Sequence, residues 1–250
     1  MELDNLVIKS FNKMYMPLLP AIFRSLLAGI YISFGCVFMS VVKADLILPT
    51  SISNILSGLV FSIGLILVTL NSGELFTGNC TIISVIFHKR CSCWKIIGNT
   101  NYQIADYLIL NYILNMVGTA LVAGVVSIMK FNIPVIEAIG TAKFSKSPVE
   151  LFFSGLLCNA LVCLSVIINS KTSNNIEKII VNVFAVTMFV ACGFEHSIAD
   201  LFFMFLANLK VFTIHHLLAS LSIITFGNIV GGMLVTVLTC MSCYKEEQHA

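Results

Sequence analysis

The chain has 250 residues, of which 58% are hydrophobic and only 10% charged, with a mean hydropathy of +0.98. A soluble domain carries about 25% charged residues, so this composition excludes a water-exposed globular surface and points to a membrane protein. A net charge of +2 with no basic stripe gives no footing for nucleic acid, and the mixed polar start from Met1 to Pro20 does not read as a cleavable secretory signal.

An apolar helix needs about 20 residues to cross the hydrocarbon core. In chain order the candidate spans run from about Leu19 to Val42, Ile52 to Phe87, Ile104 to Met129, Val149 to Ile168, Ile176 to Leu209 and Leu217 to Cys240. The second and fifth are too long for one plain helix. The second is broken around Phe61 to Gly78 and the fifth near Cys192 to Asp200, and each break holds a glutamate, Glu74 or Glu195. An ionisable residue at bilayer depth is costly and faces a bundle interior or a water-filled path. Paired interruptions in two halves of a chain are the best sequence pointer to a transport site.

The halves resemble each other further. Each third span carries Asn-x-x-Gly, at Asn115 to Gly118 and Asn228 to Gly231, and each first span has an early glycine, Gly29 or Gly155. Taken alone, Asn-x-x-Gly reads as a helix-packing contact with one interhelical hydrogen bond. Three spans per half put the copies in opposite orientations. The expected architecture is an all-α membrane protein of six transmembrane helices with an inverted 3+3 repeat. Repeat 1 covers about residues 19–130 and repeat 2 about 149–243, within one transmembrane unit, 19–243. Residues 1–18 form a cytoplasmic N-terminal segment and 244–250 a cytoplasmic tail. Nine of the basic side chains fall on the side of the termini and five opposite, which puts both termini inside a multi-pass plasma-membrane protein. The N-terminal segment fits either a helix lying on the membrane surface or a cytoplasmic cap.

Nine cysteines are many. Those within apolar runs behave as small hydrophobes. Cys91 and Cys93, with Cys240 and Cys243, could supply four metal ligands, a remote alternative in which the chain is a membrane-embedded metal or redox protein. The stronger reading assigns no metal or cofactor.

Three long segments then carry a specific resemblance: Ser72-Gly-Glu-Leu-Phe-Thr-Gly-Asn79, Leu157-Cys-Asn-Ala-Leu-Val-Cys-Leu164 and Gly193-Phe-Glu-His-Ser-Ile-Ala199. Together with Ala28 to Ser33 and Gly227 to Gly232, they resemble the formate/nitrite transporter family over residues 20 to 240 or so. The resemblance implies an aquaporin-like fold with broken helices 2 and 5, assembled as a homopentamer. It also implies that this is not an enzyme but a channel, with a pore in each protomer for a small weak-acid anion and its proton. Formate comes first, with acetate or lactate behind it, and hydrosulfide or nitrite as the alternative. Neither break carries the Asn-Pro-Ala of neutral-solute pores.

Carried over by motif, Phe61 and Leu65 form one constriction. Leu75 and Phe76, with Phe189, form the opposite one. Thr77 and His196 mark the pore centre, and Lys143 and Asn159 serve the outer vestibule. Glu74 and Glu195 read as structural clamps that accept backbone N–H groups at the breaks, because a carboxylate repels an anionic substrate. Asp200 departs from the family's usual Asn, and Lys146 reads as a solvated loop charge. His215 and His216 read as interfacial.

Overall fold

The structure, a computed structural model, describes residues 2–88 and 104–243. Among them there are helices and no strands: α1 (Glu2–Met14), α2 (Leu18–Lys43), α3 (Thr50–Leu70), α4 (Phe76–Asn79), α5 (Thr81–His88), α6 (Ile104–Met129), α7 (Ile133–Phe144), α8 (Pro148–Lys171), α9 (Asn175–Ala191), α10 (Ser197–Phe205) and α11 (Ile214–Cys243). Five are long and apolar enough to cross a membrane: α2, α3, α6, α8 and α11. The remaining expected span divides into α9 and α10 around its break. Large apolar side chains such as Phe34, Leu121, Phe184 and Leu238 stand on the outside, while Ser33, Asn111, Asn159 and Asn182 lie inside. That distribution suits a lipid solvent.

Both breaks end in the same way. The α3 helix stops at Asn71, Ser72 takes φ 55, and the Gly73 N–H returns to the Val68 carbonyl at 2.7 Å. The α9 helix stops at Cys192, Gly193 takes φ +70, and the Phe194 N–H returns to the Phe189 carbonyl at 2.9 Å. These are left-handed helix stops in which the chain's own N–H groups satisfy the last carbonyls. Gly193 takes this conformation without strain, since it has no Cβ.

Close helix crossings hold the breaks in place. A Cβ on Gly118 of α6 would strike the Leu26 carbonyl of α2, and one on Gly231 of α11 would strike the Leu156 carbonyl of α8. Small residues allow such approach where lipid supplies no hydrophobic drive.

Two helices lie outside the expected spans. The α1 helix packs on α5 and α8, burying Leu6 and Met14. The α7 helix occupies the stretch expected only as a connection between the halves, and packs on α10 with Phe144 fully buried.

Replacing Gly231 with Ala should lower the thermal unfolding midpoint of the purified protein and its yield of monodisperse material, because overpacking costs about 1–3 kcal/mol. Gly124 of α6 has nothing within 4 Å of an added Cβ, so Gly124→Ala should leave the midpoint unchanged or raise it slightly.

Candidate functional site

A helix that restarts inside the membrane exposes N–H groups with no intrahelical partner. At both restarts an asparagine amide, and not the glutamate carboxylate, takes the first of them. Asn115 Oδ1 accepts the Phe76 N–H at 2.9 Å, and Asn228 Oδ1 accepts the Ser197 N–H at 2.9 Å. Each amide also donates twice. Asn115 Nδ2 reaches the carbonyls of Ser25 at 2.7 Å and Glu74 at 3.0 Å; Asn228 Nδ2 reaches those of Gly155 at 2.8 Å and Glu195 at 3.0 Å. The Asn-x-x-Gly motifs therefore make three polar contacts each, where one was expected, and they tie the break to two helices.

The glutamates act differently from the expected N–H clamps. Glu74 pairs with Lys13 of α1 at 2.9 Å and accepts the Asn79 amide at 2.9 Å. Glu195 pairs with Lys143 and with Lys146, each at 2.5 Å. Lys143 also lies 2.9 Å from Asp200 and 5.5 Å from the centre of the Phe203 ring. Lys146 is thus not a solvated loop charge: it also donates to the Gly193 carbonyl at 2.6 Å. No motif marks Lys13 as a site residue; its pairing with Glu74 does, and its place in the chain parallels that of Lys143. Lys13 and Lys143 are 130 residues apart, as are the buried Met14 and Phe144 that follow them.

Between the two ion clusters stand Thr77 and His196. His196 Nδ1 takes the Ala199 N–H at 3.2 Å. A nitrogen that accepts carries no proton, so the proton of the neutral ring sits on Nε2. Nε2 then donates to Thr77 Oγ1 at 2.9 Å, which leaves the Thr77 hydroxyl hydrogen free to donate to a third group. The Thr77 carbonyl is held from behind by Asn159 Nδ2 at 3.1 Å. The second Asn159 hydrogen goes to the Asn228 carbonyl at 2.7 Å. Asn159 is fully buried with both hydrogens committed, so it stands behind the wall and has no donor to offer a vestibule.

The apolar residues group differently from the expectation. Phe61 and Phe189 meet edge to face at 6.0 Å, and Phe189 stacks on the His196 ring at 6.0 Å. Leu65, one turn along α3 from Phe61, joins Leu75 in lining a cavity of about 700 Å³. Phe76 packs edge to face on Tyr112 at 4.9 Å. Phe61 meets Phe189 because α3 and α9 pack directly on each other, while Leu65 and Leu75 share a cavity wall.

Lys9, Lys13, Arg24, Lys178 and Glu74 also line that cavity. Burial, with Lys178 and Lys13 nearby, holds the Lys9 ammonium below its ordinary value. The Lys143 side sets two lysines against two carboxylates, so among the described residues the more positive cluster is the one around Lys13. His216 is exposed, with its Nε2 2.8 Å from the Phe144 carbonyl and its ring stacked on Phe212. Cys91 and Cys93 and the side chain of Cys243 lie outside the described residues, and Cys240 is buried.

A helical membrane protein with two broken helices, a neutral polar centre and an ion cluster at each end is of the channel and transporter class. The chain matches the formate/nitrite transporter family over residues 2–242, and it belongs to that family. It is 31% identical to a probable formate transporter of Methanothermobacter thermautotrophicus, covering 92% of this chain and 91% of the relative. It is 27% identical to the nitrite transporter NirC of Escherichia coli, covering 83% and 77%. Among solved structures, a pentameric formate channel with formate bound superposes with a TM-score of 0.76 at 27% identity, over 90% of this chain and 97% of that one.

Glu74 is 3% exposed and Lys13 29%. Lys13→Met should lower stability by about 2 kcal/mol by stranding the carboxylate. Lys13→Met combined with Glu74→Gln should recover most of that loss, a coupling read from thermal midpoints of the two single variants and the double variant.

Proposed function

We propose that this protein is a pore for small monovalent weak acids, formate first and acetate or lactate next, which cross as the neutral acid or together with a proton. One observation carries the reading. The Thr77–His196 centre is held as a neutral pair whose free hydroxyl hydrogen can meet a carboxyl oxygen, while Phe61, Phe189, Leu65 and Leu75 keep water away. A bare anion in such surroundings loses hydration worth several kcal/mol at least. As the dielectric falls along the path, the anion's affinity for a proton rises, as a buried carboxylate's does. The lysines at the mouths, Lys13 and Lys143, raise the local concentration of the anion before it takes up that proton.

His196 is a poor proton donor in this arrangement. Protonating Nδ1 would remove the acceptor of the Ala199 N–H, so the imidazole serves best by orienting Thr77. The proton then comes from water in the mouth. Glu74 and Glu195 anchor the lysines and do not touch substrate.

The surrounding architecture we propose is six crossings in an inverted 3+3 repeat, aquaporin-like, with α3–α5 and α9–α10 as the broken second and fifth. Both termini are cytoplasmic, in the plasma membrane, and five copies assemble with a pore in each. The paired contacts at fixed sequence offsets support the repeat, and the pentameric formate channel supports the assembly. Nitrite is the second reading, favoured by the likeness to NirC; hydrosulfide is the third.

In proteoliposomes at fixed total formate, uptake of labelled formate should rise as external pH falls, because the neutral fraction rises. Thr77→Val, which keeps the shape and removes the hydroxyl, should lower uptake about tenfold, the equivalent of about 1.4 kcal/mol. Uptake that ignores pH would remove the neutral-acid route. Stronger competition by nitrite than by acetate or lactate would move the substrate assignment to the second reading.

A further inference from the structure

The two mouths are built on corresponding positions and differ most sharply where Asn79 on one side meets Asp200 on the other. Glu74 and Asn79 on the first side correspond to Glu195 and Asp200 on the second, 121 residues on in each case, as Lys13 corresponds to Lys143. On the first side each polar contact has a hydrogen to share. Lys13 Nζ lies 2.7 Å from Asn79 Oδ1, and Asn79 Nδ2 donates to Glu74 Oε2 at 2.9 Å and to Asn111 Oδ1.

On the second side an oxygen stands where Asn79 has its amide nitrogen. The Asp200 and Glu195 carboxyls meet at one ammonium, with Lys143 Nζ 2.9 Å from Asp200 Oδ1 and 2.5 Å from Glu195 Oε2. Two ionised carboxylates have no hydrogen to put between them. Asp200 is fully buried. Lys143 approaches its Oδ1 at 2.9 Å but outside hydrogen-bond geometry, and neither Asp200 oxygen has a hydrogen-bond partner. Asn115 and Asn228 correspond at 113 residues, and the same step takes Asn111 to Ile224, which is buried and offers no donor. The second side is one hydrogen short of the first.

We propose that Asp200 and Glu195 hold one proton between them, so that Asp200 supplies the hydrogen that the Asn79 amide supplies on the other side. The other groups around Asp200 are Lys143 of α7 and Lys146 in the turn after it, His196 at the break, Tyr112 of α6, Cys36 of α2 and Cys158 of α8. With the proton in place, two lysines face one carboxylate and the mouth is positive. When the proton leaves, two lysines face two carboxylates and the attraction for an anion is lost. This consequence rests on the weak-acid pore reading and deepens it: the Lys143 mouth collects anions at low pH and stops collecting them as pH rises.

The test uses infrared spectroscopy of the full chain in lipid, which needs no transport. The chain has four aspartates, Asp4, Asp45, Asp106 and Asp200, so labelling aspartate with carbon-13 at the side-chain carboxyl edits few bands. At neutral pH the wild-type spectrum should contain the C=O stretch of a protonated carboxyl that shifts on labelling, and Asp200→Asn should lack it. In that variant the new amide can donate to Glu195, as Asn79 does to Glu74. A wild-type spectrum with carboxylate bands only, or a label-sensitive protonated band that survives in Asp200→Asn, would overturn the proposal. In a second arm, formate uptake from the Lys143 side should persist to higher pH in Asp200→Asn than in wild type. A band without any formate uptake would leave the shared proton standing and remove the pore reading.

Discussion

Everything in this protein depends on the need to satisfy backbone groups where a helix stops and restarts inside a membrane. The restarts at Phe76 and Ser197 are buried, and there each unpaired N–H or C=O costs several kcal/mol. The chain meets the need in two parts. Left-handed stops at Ser72 and Gly193 return N–H groups to the ending helices, and the amides of Asn115 and Asn228 take the first N–H of the restarting ones. An amide suits the position better than a carboxylate, since it both accepts and donates and carries no charge to desolvate. The glycine crossings of α2 with α6 and α8 with α11 bring those amides close enough to act.

Once neutral asparagines brace the breaks, the charges can move to the ends. Glu74 and Glu195 pair with lysines that come from two short helices and a turn: Lys13 of α1, Lys143 of α7 and Lys146 in the turn after α7. On the proposed reading, each lysine holds its ammonium where a low-dielectric wall meets water, so that its field reaches an arriving anion with less screening than in bulk solvent. Between the clusters stays a neutral centre, Thr77 against His196, with aromatic and leucine side chains around it. Charge at the mouths and neutrality in the middle suit a solute that is anionic outside and uncharged within.

Much of this was legible in the sequence, because lipid burial and helix breaks leave strong marks. The spans, the two broken segments and the recurrence of Asn-x-x-Gly are marked in the chain itself, although the first break is narrower than the stretch from Phe61 to Gly78, since α3 runs unbroken to Leu70; the family motifs added Thr77 with His196 and the aromatic and leucine residues. What escaped notice has physical reasons. Lys13 sits in a segment with the composition of an ordinary tail, and only its distance from Lys143 marks it. Lys146 is chemically identical to a solvated lysine until Gly193 and Glu195 are seen beside it. The motif match names Phe61, Leu65, Leu75 and Phe189 as wall residues, but which of them meet depends on how α3 and α9 face each other. Asn159 looked like a vestibule donor since nothing local shows that both its hydrogens are taken by carbonyls from distant helices.

The most direct test of a neutral passage is the response of flux to voltage. One charge crossing the whole membrane gains or loses about 2.3 kcal/mol per 100 mV, about a fiftyfold effect on its equilibrium distribution. Labelled formate uptake into proteoliposomes, measured under potassium-diffusion potentials of either sign at constant pH, should stay the same. Accumulation that follows the sign and size of the potential would mean that the bare anion crosses, and would contradict a centre built for an uncharged acid.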